Sequence, residues 1–182
     1  LYHHQLPTQV ERWRDIGPIG LELLKDEPLR HRHLLTERMT PFGNAVTGRV
    51  PLMGNKDVVW AQALVAEPMG PYYKNAEGDE ILFVHDGSGT LSTMFGDVPF
   101  GAGDYLVVPR GTIWRIDFDS YPVRMIAIES RGAVEVPKRY RNEFGQLLEH
   151  APYHERDIRP PSELRTYDQS GEFQVWVRAR GH

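Results

Sequence analysis

The chain has 182 residues, 40% hydrophobic and 25% charged, a balance that suits a globular domain and argues against a disordered chain. The formal charge is −4 and the 21 Lys and Arg residues form no basic block, so nucleic acid is not an expected partner. Cys is absent, which rules out disulfides and makes a reducing, cytoplasmic setting the simplest expectation; no apolar run approaches the ~20 residues of a membrane helix, and no membrane partner is expected.

Taken in chain order, Leu1–Pro28 reads as an extended N-terminal arm. Arg12–Leu24 is broken by Gly17-Pro18 and predicts no dependable helix. No signal peptide is visible, and a chain that begins at Leu1 rather than Met is expected to lack its true start. Short runs of Val, Ile, Leu and aromatic residues then recur between Gly and Pro, which predicts a mostly β domain. The predicted strands are Arg30–Leu35, Val58–Ala66, Ile81–His85, Gly89–Met94, Tyr105–Val108, Ile113–Phe118 and Val123–Ser130. Turns are predicted at Phe95-Gly96-Asp97, Ala102-Gly103-Asp104 and Pro109-Arg110-Gly111. Glu143–Glu149 suggests one short helical turn. Pro137–Ser170 is otherwise a long polar connector with Pro152, Pro160 and Pro161, and so long a stretch with little structure of its own is expected to be functional or to pack on a neighbour. A last strand is predicted from Phe173 to Arg180; with no partner after it, a trimmed chain end is expected.

Asn75 to Phe118 resembles the two spaced motifs of the cupin superfamily. Where the first motif has His-x-His, then Glu, then Gly, this chain has Tyr73-Lys74-Asn75, Glu80 and Gly87. Where the second has Gly, Pro-x-Gly and His, it has Gly103, Pro109-Arg110-Gly111 and Trp114. The resemblance implies an all-β, cupin-type double-stranded β-helix (jelly-roll barrel) with an N-terminal arm and a polar C-terminal connector. It divides the chain into residues 1–56 (arm and first strands), 57–136 (barrel core with degenerate metal motifs) and 137–182 (connector and final strand). Residues two apart on a strand share a face, so Tyr73 and Asn75 should look into the barrel together, with Glu80 and Trp114 nearby.

A wider resemblance covers the N-terminal half of homogentisate 1,2-dioxygenase and its bacterial relatives. It is carried by Tyr72-Tyr73-Lys74-Asn75-Ala76-Glu77-Gly78-Asp79-Glu80, by Gly103–Thr112, by Arg139-Tyr140-Arg141-Asn142-Glu143 and by Leu147–Tyr153. It implies an oxidoreductase of aromatic catabolism, Fe(II)-dependent and ring-cleaving, with its iron in a C-terminal cupin that these 182 residues do not contain. The expected partners are that C-terminal half, further copies in a homo-oligomer and, through the intact enzyme, an aromatic substrate. No catalytic residue transfers to this chain, and the segment alone is expected to be inactive.

The residues argue the same way by themselves. A non-haem Fe(II) site needs two His and a carboxylate, and of the four motif positions Glu80 alone keeps a strong ligand type. Trp114 offers an N–H donor and no lone pair. Tyr73, Asn75, Glu80 and Trp114 therefore read as a degenerate site without metal or cofactor. Glu80 should be satisfied by hydrogen bonds, from Tyr73 or Lys74 for example, and the aromatics should fill the core. His31 and His33 share a face of their predicted strand, but no third ligand joins them. His150 and His154 sit four apart with Pro152 between them, which spoils a helical ligand pair and leaves a loop that packs on a partner. Arg156, Arg159 and Arg165 read as a solvated or interface surface. Two other functions stay open: a stand-alone, metal-free cupin that binds a small ligand, and metal-free acid–base catalysis by Glu80 or Tyr73.

Overall fold

The computed structural model describes residues 9–17, 24, 28, 30–164 and 171–181; the rest of the predicted arm, Arg165 and His182 lie outside the described residues. Alternating apolar and polar residues build its strands: β1 (Arg49–Gly54), β2 (Val58–Val65), β3 (Tyr72–Asn75), β4 (Asp79–Asp86), β5 (Gly89–Thr93), β6 (Gly96–Phe100), β7 (Tyr105–Val108), β8 (Ile113–Phe118), β9 (Val123–Ser130) and β10 (Val175–Arg178). They form two five-stranded sheets, ordered β1-β2-β9-β4-β7 and β10-β3-β8-β5-β6. Apart from the β1–β2 and β5–β6 hairpins, consecutive strands cross between the sheets, and the two sheets close over one core. This is the jelly roll of the cupins, as the motifs predict.

Strand parity decides what the core receives. In β8, Trp114 and Ile116 point inward while Arg115 and Asp117 point out; in β9, Val123, Met125 and Ala127 point inward. Leu82 and Val84 of β4 and Leu106 and Val108 of β7 complete that side of the core. The Val, Leu, Ile and Met side chains among them each contribute about 1.5–3 kcal/mol on burial. The last five residues of β2, Ala61–Val65, are buried on both faces. The loop before β1 covers their outer side: Phe42 N–H donates to Leu64 O, and Ala66 and Glu67 N–H donate to Gly43 O. Asn44 shapes that loop, its Oδ1 accepting from Val46 and Thr47 N–H.

Several predicted elements differ. Residues 30–35 form no strand and are exposed, and a 3-10 turn follows at Thr36–Arg38. Arg30, His31, Arg32 and His33 have no apolar face to bury, and two leucines do not hold a strand in place. Glu143–Glu149 is a turn, not a helix. Asn142 Oδ1 accepts from Phe144 and Gln146 N–H, Gly145 takes a φ of 86°, and Arg141 bridges Leu147. This local side-chain capping competes successfully with helix formation. The Phe95-Gly96-Asp97 turn falls one residue earlier, at Met94-Phe95, and Gly96 opens β6. The last strand is shorter than predicted and does have a partner, earlier in the sequence: β10 runs parallel to β3, pairing Trp176 with Tyr73 and Arg178 with Asn75. Strands β1, β3 and β6 lie outside the predicted set. The strands over residues 58–65, 79–86, 89–93, 105–108, 113–118 and 123–130 lie where expected.

The described part of the connector, 137–164, has two 3-10 turns, Lys138–Tyr140 and Glu155–Asp157. It is held to the barrel on two sides. Just before it starts, Asp79 accepts from Val134 N–H, and within it Arg159 pairs with Asp104 at 2.7 Å. A Cβ on Gly96 would stand 2.3 Å from Glu163 O, so the connector lies directly on the β5–β6 hairpin.

Candidate functional site

The four motif positions converge in the barrel interior. Tyr73 and Asn75 leave β3, Glu80 leaves β4 and Trp114 leaves β8, with exposures of 2%, 3%, 1% and 0%. Tyr73 and Trp114 are register partners across β3 and β8, and their rings meet edge to face at 5.3 Å. Trp114 Nε1–H donates to Glu80 Oε2 at 3.1 Å.

The other oxygen of Glu80 faces a residue the motifs do not mention. Arg49 enters from β1, and its Nη1 donates to Glu80 Oε1 at 2.6 Å and to Glu129 Oε1 at 3.1 Å. Its Nε–H donates to Ala45 O at 2.8 Å. Its Cζ lies 5.8 Å from the Tyr73 ring centroid and 6.0 Å from that of Trp114, within cation–π range. The expectation that Tyr73 or Lys74 would satisfy Glu80 is thus corrected, because Arg49 and Trp114 do so. Lys74 has the opposite strand parity from Tyr73 and Asn75 and cannot reach the interior.

The charges continue outward. Glu129 also binds Arg178 Nη1, and Arg178 Nε lies 3.4 Å from Glu77 Oε2. Two guanidinium groups and three carboxylates thus alternate from the core to one end of the barrel. Burial opposes the Arg49 charge, but Glu80, Tyr73 and Glu129, with the Glu80 hydrogen bond, more than offset it and hold the guanidinium above its ordinary pKa. Burial, then the charge of Glu80, pushes the Tyr73 hydroxyl above its ordinary 10.0, against the pull of Arg49.

Asn75 is committed to the backbone. Its Oδ1 accepts from Glu77 and Gly78 N–H, and its carbonyl accepts from Gly111 N–H. Asp79 accepts from Arg110 N–H as well as Val134 N–H, tying the Pro109-Arg110-Gly111 turn to β4. Gly78 is required because a Cβ there would stand 2.4 Å from Ser130 O.

These residues do not fit a divalent cation. Both Glu80 oxygens and the Asn75 oxygen are engaged, Trp114 has no lone pair, and the guanidinium of Arg49 already occupies the space beside Glu80 and the two rings. Among the described residues, no three His, Cys, Asp or Glu side chains are grouped to hold a metal. His31 and His33 lie in an exposed segment outside the barrel, and His150 and His154 lie in the connector loop, where His154 N–H donates to Asp157. A polar cleft of about 270 Å³ opens where β3, β9 and β10 end, lined by Lys56, Asn75, Glu77, Glu129, Arg131 and Arg178 among others.

Sequence reasoning missed Arg49, Glu129 and Arg178. For Glu129 a signal existed. It continues the inward series Val123, Met125, Ala127, and a carboxylate at buried parity demands a cation. Arg49 gave none, because its strand is interrupted by Pro51 and a bulge.

Fold and interior together define a cupin-type barrel whose centre is held by a side-chain cation. No family model matches the chain. It is 34% identical over 179 residues to a Saccharolobus solfataricus protein that bears the name putative dioxygenase, a match covering 98% of this chain and 46% of that protein. The chain therefore spans about half the length of this relative. Solved structures with a similar arrangement include KdgF from a Halomonas species (TM-score 0.47, 15% identity, 58% of this chain and 96% of that one). Another is a cupin-2 domain protein of Shewanella frigidimarina (TM-score 0.40, 18% identity, 46% and 79%). No helix among the described residues is long and apolar enough to cross a membrane.

Proposed function

We propose that this chain is the N-terminal, non-metal-binding cupin of a two-barrel, ring-cleaving dioxygenase of the homogentisate 1,2-dioxygenase type. Its role is structural. It buttresses a C-terminal cupin that carries the Fe(II), and it supplies contacts for a cytoplasmic homo-oligomer that opens an aromatic substrate. The observation that supports this best is Arg49. A buried guanidinium pairs with Glu80 and, together with Arg178, with Glu129 beside the positions where the cupin motif would hold an ion, so the carboxylates have a counter-charge without one. The motif segments around Tyr73 and Pro109 and the relative named as a dioxygenase support the same reading.

The test compares the 182-residue chain with the full product of the gene that encodes it. The full product is expected to purify with iron and to consume O₂ with homogentisate, and the 182-residue chain to do neither. Ring cleavage by the 182-residue chain supplied with Fe(II) would overturn the proposal.

One observation favours a second reading, a stand-alone binder of a small polar ligand: the cleft lined by Lys56, Glu77, Arg131 and Arg178. A gene that ends with this chain, together with a ligand whose binding is lost in Arg178→Ala, would favour it. Acid–base catalysis by Glu80 or Tyr73 finds no support, since Glu80 is locked between Arg49 and Trp114.

A further inference from the structure

The outer faces of the two sheets differ. On the second sheet the outward residues include Thr90 and Ser92 of β5, Arg115 and Asp117 of β8 and Lys74 of β3, and Arg115 is salt-bridged to Asp117 and lies over Tyr72. That face suits water. On the first sheet, register places Met53, Trp60, Ile128, Ile81 and Val107 side by side across all five strands. Beside this row run Ile126, Phe83 and Tyr105, and the Phe83 and Tyr105 rings lie 4.7 Å apart. Neither row contains a charge. Met53, Trp60, Tyr105 and Val107 are 61%, 42%, 66% and 49% exposed. With strands ~4.8 Å apart the face is ~20 Å wide. An apolar surface this continuous marks an interface.

We propose that the outer face of the first sheet seats a second β-barrel of the same polypeptide, packed sheet against sheet with Trp60 and Tyr105 as anchors. This rests on the two-barrel reading above and names the surface it uses. Length argues for that occupant: the relative matched over 98% of this chain is about twice as long, so a polypeptide of that kind carries a further stretch the size of this domain. Chemistry argues for it too. Two adjoining rows without a charge accept an apolar sheet at the usual ~10 Å separation, with Arg124 and Asp86 at their margin, and large exposed aromatics are the residues that anchor such contacts.

Hydroxyl-radical footprinting of Met53, Trp60 and Tyr105 tests the proposal, carried out on the 182-residue chain and on the full gene product, with cross-linking mass spectrometry on the latter. Modification of the three residues should fall several-fold in the full product, with cross-links from this face to its later half. Equal modification in both proteins overturns the proposal. So does protection in the 182-residue chain that rises with its concentration alongside a dimer in sedimentation, which gives the face to a second copy. A gene that encodes nothing beyond this chain overturns it as well. The functional reading fails separately: full product that cleaves homogentisate with Trp60 exposed sinks the docking face alone, and a protected face in an iron-free, inactive protein sinks the chemistry alone.

Discussion

Replacing Arg49 by Met tests the buried network directly. Met keeps much of the side chain's length and removes its charge. Glu80 is 1% exposed, and it loses a 2.6 Å partner; Glu129, whose side chain is 16% exposed, loses a 3.1 Å partner but keeps Arg178. Removing one member of a buried ion pair costs about 3–5 kcal/mol, because the remaining charge is stranded. The lower end is expected here, since Trp114 still donates to Glu80 and water reaches Glu129. For a domain of this size each kcal/mol moves Tm by ~2–4 °C, so the melting point should fall by about 6–12 °C. The assay is urea and thermal unfolding of wild type and variant. The triple variant Arg49→Met, Glu80→Leu, Glu129→Leu is the control. Exchanging a whole buried ionic group for apolar residues is often neutral or stabilising, so it should recover much of the loss. A single-variant loss under ~1 kcal/mol, the range of exposed pairs, would show that Arg49 is not the counter-charge of a buried site.

Two further outcomes follow from the same interior. The folded-state pKa of Tyr73 is raised above 10.0, so the folded protein holds that proton more tightly than the unfolded chain. The stability this contributes is fully present below pH 10.0 and is lost as pH rises beyond it; Tyr73→Phe should flatten the decline in stability measured by urea titration on the alkaline side. Gly78→Ala forces a Cβ to within 2.4 Å of Ser130 O, and the required shift between β4 and β9 should lower stability by about 1–3 kcal/mol in the same titration, whereas Gly103→Ala meets no atom within 4 Å and should suffer from its φ of 91° alone.

The fold was legible because parity and punctuation are local. Arg115–Phe118 alternates, and Gly103, Pro109 and Gly111 break the chain at fixed intervals, so most strands follow from order alone, while the inward positions of Tyr73, Asn75, Glu80 and Trp114 follow from the resemblance to the cupin motifs together with strand parity. Elements without a repeated pattern were not legible. The His31-x-His33 alternation looks like a strand, yet it has no apolar face to drive it into a sheet. Glu143–Glu149 looks helical, yet Asn142 and Gly145 turn it.

Sequence by itself thus determined the β-rich character and most strand positions, since both depend on residues close together in the chain; the jelly roll and its inward motif side chains were implied by the resemblance to the cupin motifs. The partner of Glu80 was decided by tertiary structure alone. Arg49 lies 31 residues before Glu80 and 80 before Glu129, and the three meet because β1 and β9 fall in the same sheet as β4. Charge pairing across such separations depends on strand order, and strand order is fixed by how two sheets bury a shared core, which no local pattern encodes.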